Sequence, residues 1–457
     1  MEPPQAWVIT AVMGYGHQRA VHPFRDIARD GIISLESDPE ASPAERRLWK
    51  QLLAMYEWLS RLKRLPLLGR LLFKQLDWLL YIPPMDPVQN RARPSPQVRL
   101  LSWLVSKGLC GGILSRLRKT PLPVLTSFYA SAIAADLGGF PRVFVVICDA
   151  DLSRAWVSAD PRNSRIVFFA PCGRAVKRLK SYGVPSSRIH LTGFPLPQSL
   201  IGGKGMPVLK ANLGRRLIRL DPAGKFRRLH QESVHSILGG DYYFARNEAT
   251  ITLTYAVGGA GAQKEIGRQI ARSLSGKIAA GEVRLNLVAG IRAEVQAYFT
   301  EVSNQYSGGS GGIRVVGGST LEEYFDAFSG ILHDTDILWS KPSELSFYCG
   351  LGIPMIMAPA IGPQERCNRQ WLVEMQAGIH QENPLYTHEW LFDLLRYGRL
   401  ADAAWAGFLN IRKMGTYQIR RILSGRCGFP GACGISSEAA PQTEDLKTED
   451  RRPENLT

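Results

Sequence analysis

The sequence predicts an α/β protein made of two doubly wound halves. Three observations carry this expectation. An apolar strand at 7–13 runs straight into Gly14-Tyr15-Gly16-His17 and then into a helix near Gln18, which is how a doubly wound domain opens. A second apolar strand at 251–257 runs into Gly258-Gly259-Ala260-Gly261 and a helix from about Ala262. Between and after these turns, strands alternate with helical stretches, which argues for mostly parallel sheets.

In the first half the strands are expected at 7–13, 123–127, 142–148, 165–170 and 188–192, with a helix at 172–182. In the second half they are expected at 251–257, 284–288, 313–316, 336–339 and 354–358, followed by helices over 389–424. The chain has 457 residues, too many for one typical core. Its 45% hydrophobic and 21% charged content is that of a folded globular protein. The expected organisation is a first domain over 1–200 with a helical insertion at about 40–120, a basic connector over 201–250, a second domain over 251–425, and a polar, acidic, disordered tail over 434–457.

Seven cysteines are scattered without a CxxC pair, which reads as free thiols in a reducing compartment. The N-terminus lacks the basic start of a signal peptide. No run reaches the roughly 18 apolar residues of a spanning helix. A cytoplasmic protein is expected.

The formal net charge of +16 fits nucleic acid, an anionic membrane surface or a phosphorylated substrate. No nucleic-acid-binding motif accompanies it, so no nucleic-acid partner is expected. Part of the charge lies in the insertion. Leu48, Leu52, Met55, Leu59 and Leu62 recur at helical spacing, and eight Lys/Arg face two acids over 46–80, with Trp49, Trp58 and Trp78 among them. That pattern suits either a helical hairpin packed on its own domain or a helix lying in the surface of an anionic membrane.

The candidate chemistry sits at the glycine turns and strand ends. Gly14 and Gly16 let a ligand approach the backbone, and His17 is placed either to act as a base or to cap its helix. Gly258, Gly259 and Gly261 either contact a phosphate or only pack; the turn is neither GxGxxG nor a P-loop. Asp149 and Asp151 end a strand, where carboxylates face the ligand crevice, and could hold a metal, act as a base or cap a helix. The stretch from Ser340 to Gly378 places Lys341, Ser343 and Glu344 before a short apolar strand, and Gln364, Glu365 and Asn368 on a helix after it. Backbone and side chains in this order suit the ribose and diphosphate of a nucleotide.

These residues resemble those of GT-B glycosyltransferases of the monogalactosyldiacylglycerol synthase and MurG branch. GYGHQRA at 14–20, VVICDAD at 145–151, GVPSSRIHLTGFPL at 183–196, GGAGA at 258–262 and the 340–378 stretch are similar to that branch's motifs, and the resemblance spans most of 7–425. It implies two Rossmann-like domains facing a cleft, an inverting reaction without a metal or other cofactor, a UDP-sugar as co-substrate, and a lipid-linked acceptor at the inner face of the cell membrane. It implies His17 as the group that activates the acceptor. It also implies Gly259 and Gly261 as the diphosphate loop, and Gln364, Glu365 and Asn368 near the donor sugar. One departure stands out: the glutamate that grips the donor ribose in that family falls on Phe347, and Glu344 lies three residues earlier, where the family has glycine. The alternatives are a UDP-N-acetylglucosamine 2-epimerase-like enzyme and, motivated by Phe347, a catalytically silent nucleotide-sugar-binding scaffold.

Overall fold

The computed structural model describes residues 5–62, 81–87, 89–239, 250–259, 261–308 and 311–425, with side chains omitted at 52, 53 and 55–62. The second run of the insertion (63–80), part of the basic connector (240–249), Ala260, the tail from 426 and Cys427 and Cys433 lie outside the described residues.

The first half carries β1 (Ala6–Thr10), α1 (Tyr15–Val21), β2 (Ala28–Ser34), α2 (Pro43–Leu62), α3 (Pro96–Ser106), α4 (Gly111–Lys119), β3 (Val124–Thr126), α5 (Tyr129–Leu137), β4 (Val143–Val146), β5 (Ile166–Ala170), α6 (Gly173–Ser181) and β6 (Ile189–Leu191). All six strands are parallel, in the order β2-β1-β3-β4-β5-β6. Both faces are covered by helices, which is why β1, β3 and β4 are buried at every position.

Two helices, α7 (Pro207–Arg219) and α8 (Lys225–Leu238), form the stretch expected as a basic connector. Part of its charge is structural. Arg216 is 1% exposed and donates to the carbonyls of Thr335, Leu351 and Gly352, and Arg219 pairs with Asp336 at 2.8 Å. These bonds satisfy chain ends of the second half that would otherwise be orphaned.

The second half carries β7 (Ile251–Ala256), α9 (Lys264–Ala279), β8 (Val283–Gly290), α10 (Ala293–Tyr306), β9 (Ile313–Gly317), α11 (Leu321–Leu332), β10 (Ile337–Ser340), a 3-10 helix (Glu344–Leu351), β11 (Met355–Met357), α12 (Pro363–Glu374), β12 (Gly378–His380), α13 (Thr387–Arg396), α14 (Arg399–Asn410) and α15 (Gly415–Leu423). Its parallel sheet has the order β12-β11-β10-β7-β8-β9. Local chemistry sets its helix starts. Thr320 and Glu323 close a capping box on α11, and Pro363 opens α12 while Glu365 accepts from the N–H groups of Ile361 and Gly362.

The chain crosses back at its end. On α15, Thr416 bonds the Leu196 carbonyl, and Arg420 reaches Asp26 and the Pro23 carbonyl in the first half. Strands β2 and β12, absent from the sequence reading, are edge strands. Ala28–Ser34 has three consecutive charged or glycine positions, Arg29, Asp30 and Gly31, and Gly378–His380 is three residues long, so neither shows an apolar run.

Candidate functional site

In each sheet the strand order reverses at one place: between β1 and β3 in the first, and between β7 and β10 in the second. Ligands of open α/β sheets bind beyond the carboxyl ends of the strands at such points. The first switch point holds Gly14–His17 after β1 and Ser127 after β3. The second holds Gly258, Gly259 and Gly261 after β7 and Lys341 after β10. The structure brings the two together: a β-carbon on Gly259 would stand 3.4 Å from Gly14 Cα and from Tyr15 N.

His17 is fixed by its surroundings. Its ring stacks on Trp156 (5.9 Å between centroids) and meets the edge of Phe128 (5.3 Å). Nδ1 donates to the Ser127 carbonyl at 2.6 Å. A proton on Nδ1 leaves Nε2 with its lone pair, the state a general base needs. Burial lowers its pKa from the ordinary histidine value, against the Ser127 carbonyl and Glu344, which favour the cation. The imidazole is therefore neutral at neutral pH.

Tyr15 and Arg19, one helical turn apart on α1, point into the other half. Neither was singled out from the sequence. The Ile291 N–H donates to the Tyr15 hydroxyl at 3.0 Å, and only a glycine fits at 290, where a β-carbon would lie 2.3 Å from that oxygen. Arg19 is 3% exposed and lies over the rings of Tyr324, Phe325, Phe328 and Tyr348. It donates to the Tyr324 hydroxyl (2.9 Å) and pairs with Glu344 (3.2 Å).

Glu344 thus pairs with Arg19 across the interface rather than standing free for a ribose. Its second oxygen lies 3.3 Å from where a Gly16 β-carbon would be. Phe347 is fully buried, stacked on Phe194 (5.1 Å) and against Trp371 (4.9 Å). Its ring is packed where the halves join, between Phe194 of the first half and Trp371 of the second.

The remaining candidates divide. The Lys341 ammonium pairs with Glu365, and its side chain crosses Gly258 so closely that a β-carbon there would be 2.5 Å from it. Asn368, expected near the donor sugar, is fully buried and engaged by protein. Its Oδ1 accepts from Ala150 N (2.7 Å), and its Nδ2 donates to Asp149 (2.8 Å) and the Pro342 carbonyl (3.3 Å). Asp149, partly buried, has its carboxyl pushed up to about 7 by burial, with Glu344 and Glu365 adding to the effect and the Asn368 bond and Lys341 opposing it. Asp151 is fully buried in a bidentate pair with Arg178 and a contact to Arg174, a structural role. Ser343 and Gln364 keep side chains that no protein group engages among the described residues. Among the described residues no group of three or more His, Cys, Asp or Glu could hold a metal.

In the insertion, Trp49 is buried against Phe128, so it does not belong to an outward apolar face. Among the described residues no helix is long and apolar enough to cross a membrane.

No protein-family profile matches the chain, and no curated protein matches it. Among solved structures it is similar to MurG from Acinetobacter baumannii, at 12% identity and a TM-score of 0.45, over 92% of this chain and 99% of that one. It is similar to UDP-GlcNAc 2-epimerase from Neisseria meningitidis bound to UDP-GlcNAc, at 13% identity and a TM-score of 0.44, over 75% of this chain and 83% of that one. It is also similar to WaaG, a glycosyltransferase involved in lipopolysaccharide biosynthesis, at 11% identity and a TM-score of 0.36, over 69% of this chain and 81% of that one. Likenesses this remote assign no activity. The chain's own topology, two parallel six-stranded Rossmann-like sheets meeting at their switch points, is the GT-B fold the sequence led one to expect.

Proposed function

We propose that this protein is an inverting glycosyltransferase that moves a sugar from a nucleotide sugar, a UDP-sugar by resemblance, to a lipid or lipid-linked acceptor at the inner face of the cell membrane. The observation that carries the reading is the meeting of the two switch points, with a neutral His17 on one side and Gly258, Gly259 and Lys341 on the other. In the reaction the acceptor hydroxyl attacks the anomeric carbon. The bond from that carbon to the diphosphate oxygen breaks, and the nucleoside diphosphate leaves with the electron pair. His17 Nε2 is placed to take the hydroxyl proton. Lys341 and the backbone N–H groups of the glycine turn supply the positive field for the leaving group.

The membrane part of the reading rests on α3. Its outward face carries Leu100 (52% exposed) and Trp103 (54% exposed), flanked by Arg99 and Lys107, and α3 contains no acid. Arg99, Lys107 and neighbouring Arg118 form no ion pair among the described residues. An apolar stripe with unpaired cations beside it suits an anionic bilayer surface.

Thermal unfolding against a panel of nucleotide sugars, followed by turnover with the donor that binds, tests the reading. A stabilising donor and loss of turnover in His17→Ala are expected. A donor that binds and turns over equally in His17→Ala removes His17 as the base.

A further inference from the structure

We propose that Asp149 is a second proton-accepting group at this site, and that Asn368, reaching across from the other half, is the residue that positions it when the halves are together. The inference rests on the transferase reading for its chemistry but not for its test.

The geometry is specific. Asp149 lies just beyond β4, the strand next to β3, whose end supplies the Ser127 carbonyl that orients His17. The intervening Cys148 Sγ is 3.6 Å from His17 Nδ1, so Asp149 and His17 share one sheet edge. Asn368 has one orientation available. The Ala150 N–H must meet an acceptor, which fixes Oδ1 toward the first half and turns Nδ2 to Asp149 and the Pro342 carbonyl. Both amide protons and one carbonyl lone pair are thereby used, so the amide cannot flip without orphaning a buried group. Three bonds, two of them across the interface, fix the Asn368 amide, and one of these holds Oδ1 of the Asp149 carboxyl.

The charged and titratable groups around Asp149 come from four elements. Glu344 lies on the 3-10 helix, Glu365 and Cys367 on α12, Lys341 after β10, and Cys148 beside Asp149 itself. All but Cys148 belong to the other half. Separating the halves would remove the acids that raise the proton affinity of Asp149 and the cover that Asn368 gives it. With the halves together the carboxyl is pushed up to about 7, by burial first, while burial lowers the His17 pKa. At neutral pH the carboxylate is then the stronger base. The proton that His17 takes from the acceptor hydroxyl, as that oxygen bonds the anomeric carbon and the diphosphate leaves, is passed on and comes to rest on Asp149.

The test needs no turnover. The carboxyl band of Asp149 is followed by difference infrared spectroscopy through a pH titration of the full chain and assigned by its loss in Asp149→Asn. A midpoint near 7 is expected, moved upward by Asn368→Asp, whose added carboxylate faces Asp149. If that variant does not fold, Lys341→Met, which removes an opposing cation, should move the midpoint the same way. A midpoint in the ordinary carboxylate range near 4, or one unmoved by these variants, overturns the proposal. Where a donor turns over, the rising limb of kcat/KM against pH should move to lower pH in Asp149→Asn; an unmoved limb equally overturns it. A chain that turns over no sugar but titrates near 7 refutes the transferase reading and leaves the positioned carboxyl standing.

Discussion

Neutralising Glu344 should loosen the join between the two halves. The Arg19–Glu344 pair has side-chain exposures of 3% and 9% and a separation of 3.2 Å. Glu344→Gln keeps the shape and an oxygen for the Arg19 Nε–H, but leaves the guanidinium without a counter-charge in a cage of four aromatic rings. Removing one partner of a buried pair costs about 3–5 kcal/mol. The retained hydrogen bond places this variant near the lower end. Ring contacts to Arg19 are the same in both proteins and cancel. About 3 kcal/mol corresponds to a factor of roughly 10² in the ratio of joined to separated halves. It also corresponds to about 6–12 °C in the first thermal transition for a half of this size. Hydrogen exchange should show α1 (Tyr15–Val21) and the 3-10 helix (Glu344–Leu351) losing protection together. Replacing both charges, in Arg19→Met with Glu344→Leu, should recover most of the stability, because two apolar groups leave no uncompensated charge. Unchanged exchange and melting in Glu344→Gln would refute the reasoning. So would a double variant as damaged as the single one.

Four further outcomes follow. Phe347→Glu, which supplies the acid expected from the family resemblance, should destabilise the protein by more than about 4 kcal/mol in thermal melts without improving nucleotide affinity, since its ring is packed between Phe194 and Trp371. His17→Ala should lower kcat by about 10²–10⁴ while donor binding measured by calorimetry persists. Asp149→Asn should raise stability above pH 7 by up to about 4 kcal/mol, the worth of raising a carboxyl pKa by roughly three. The folded carboxyl has a raised pKa of about 7, so its stabilising contribution is complete below about pH 4 and is lost as pH rises through 7; melts should coincide at pH 4, diverge as pH rises from 4 to 7 and stay a constant distance apart above 7. Trp103→Ala should reduce cosedimentation with anionic vesicles at least tenfold, and wild-type binding should weaken with salt.

Much of the fold was legible because parallel strands buried on both faces read as apolar runs, and because each half opens with a strand, a glycine turn and a helix. The edge strands β2 and β12 lacked such runs and went unread. The switch-point residues His17, Gly258, Gly259 and Lys341 were legible for the same reason the fold was: they follow the strands that the pattern marks most clearly. The partners across the interface were not. Nothing local tells that Asn368 gives its amide to Asp149, or that Glu344 faces Arg19. Tyr15 and Arg19 did leave a trace, two large polar-tipped side chains four apart on one helix, which places them on one face. Which surface that face meets depends on contacts more than 270 residues away in sequence. Trp49 misled in the opposite direction. A tryptophan among basic residues suited a membrane face or a packed hairpin; its ring packs on Phe128, and among the described residues the outward tryptophan is Trp103 on α3.

The central claim, that the joined switch points bind a nucleotide sugar, is tested most directly by calorimetric titration of the full chain with a set of nucleotide sugars and their free nucleotides. One donor should bind saturably and, at about 100 times its Kd, stabilise the fold by about 2.7 kcal/mol, with binding weakened by Lys341→Met. The absence of heat and of any thermal shift across the whole set would contradict it.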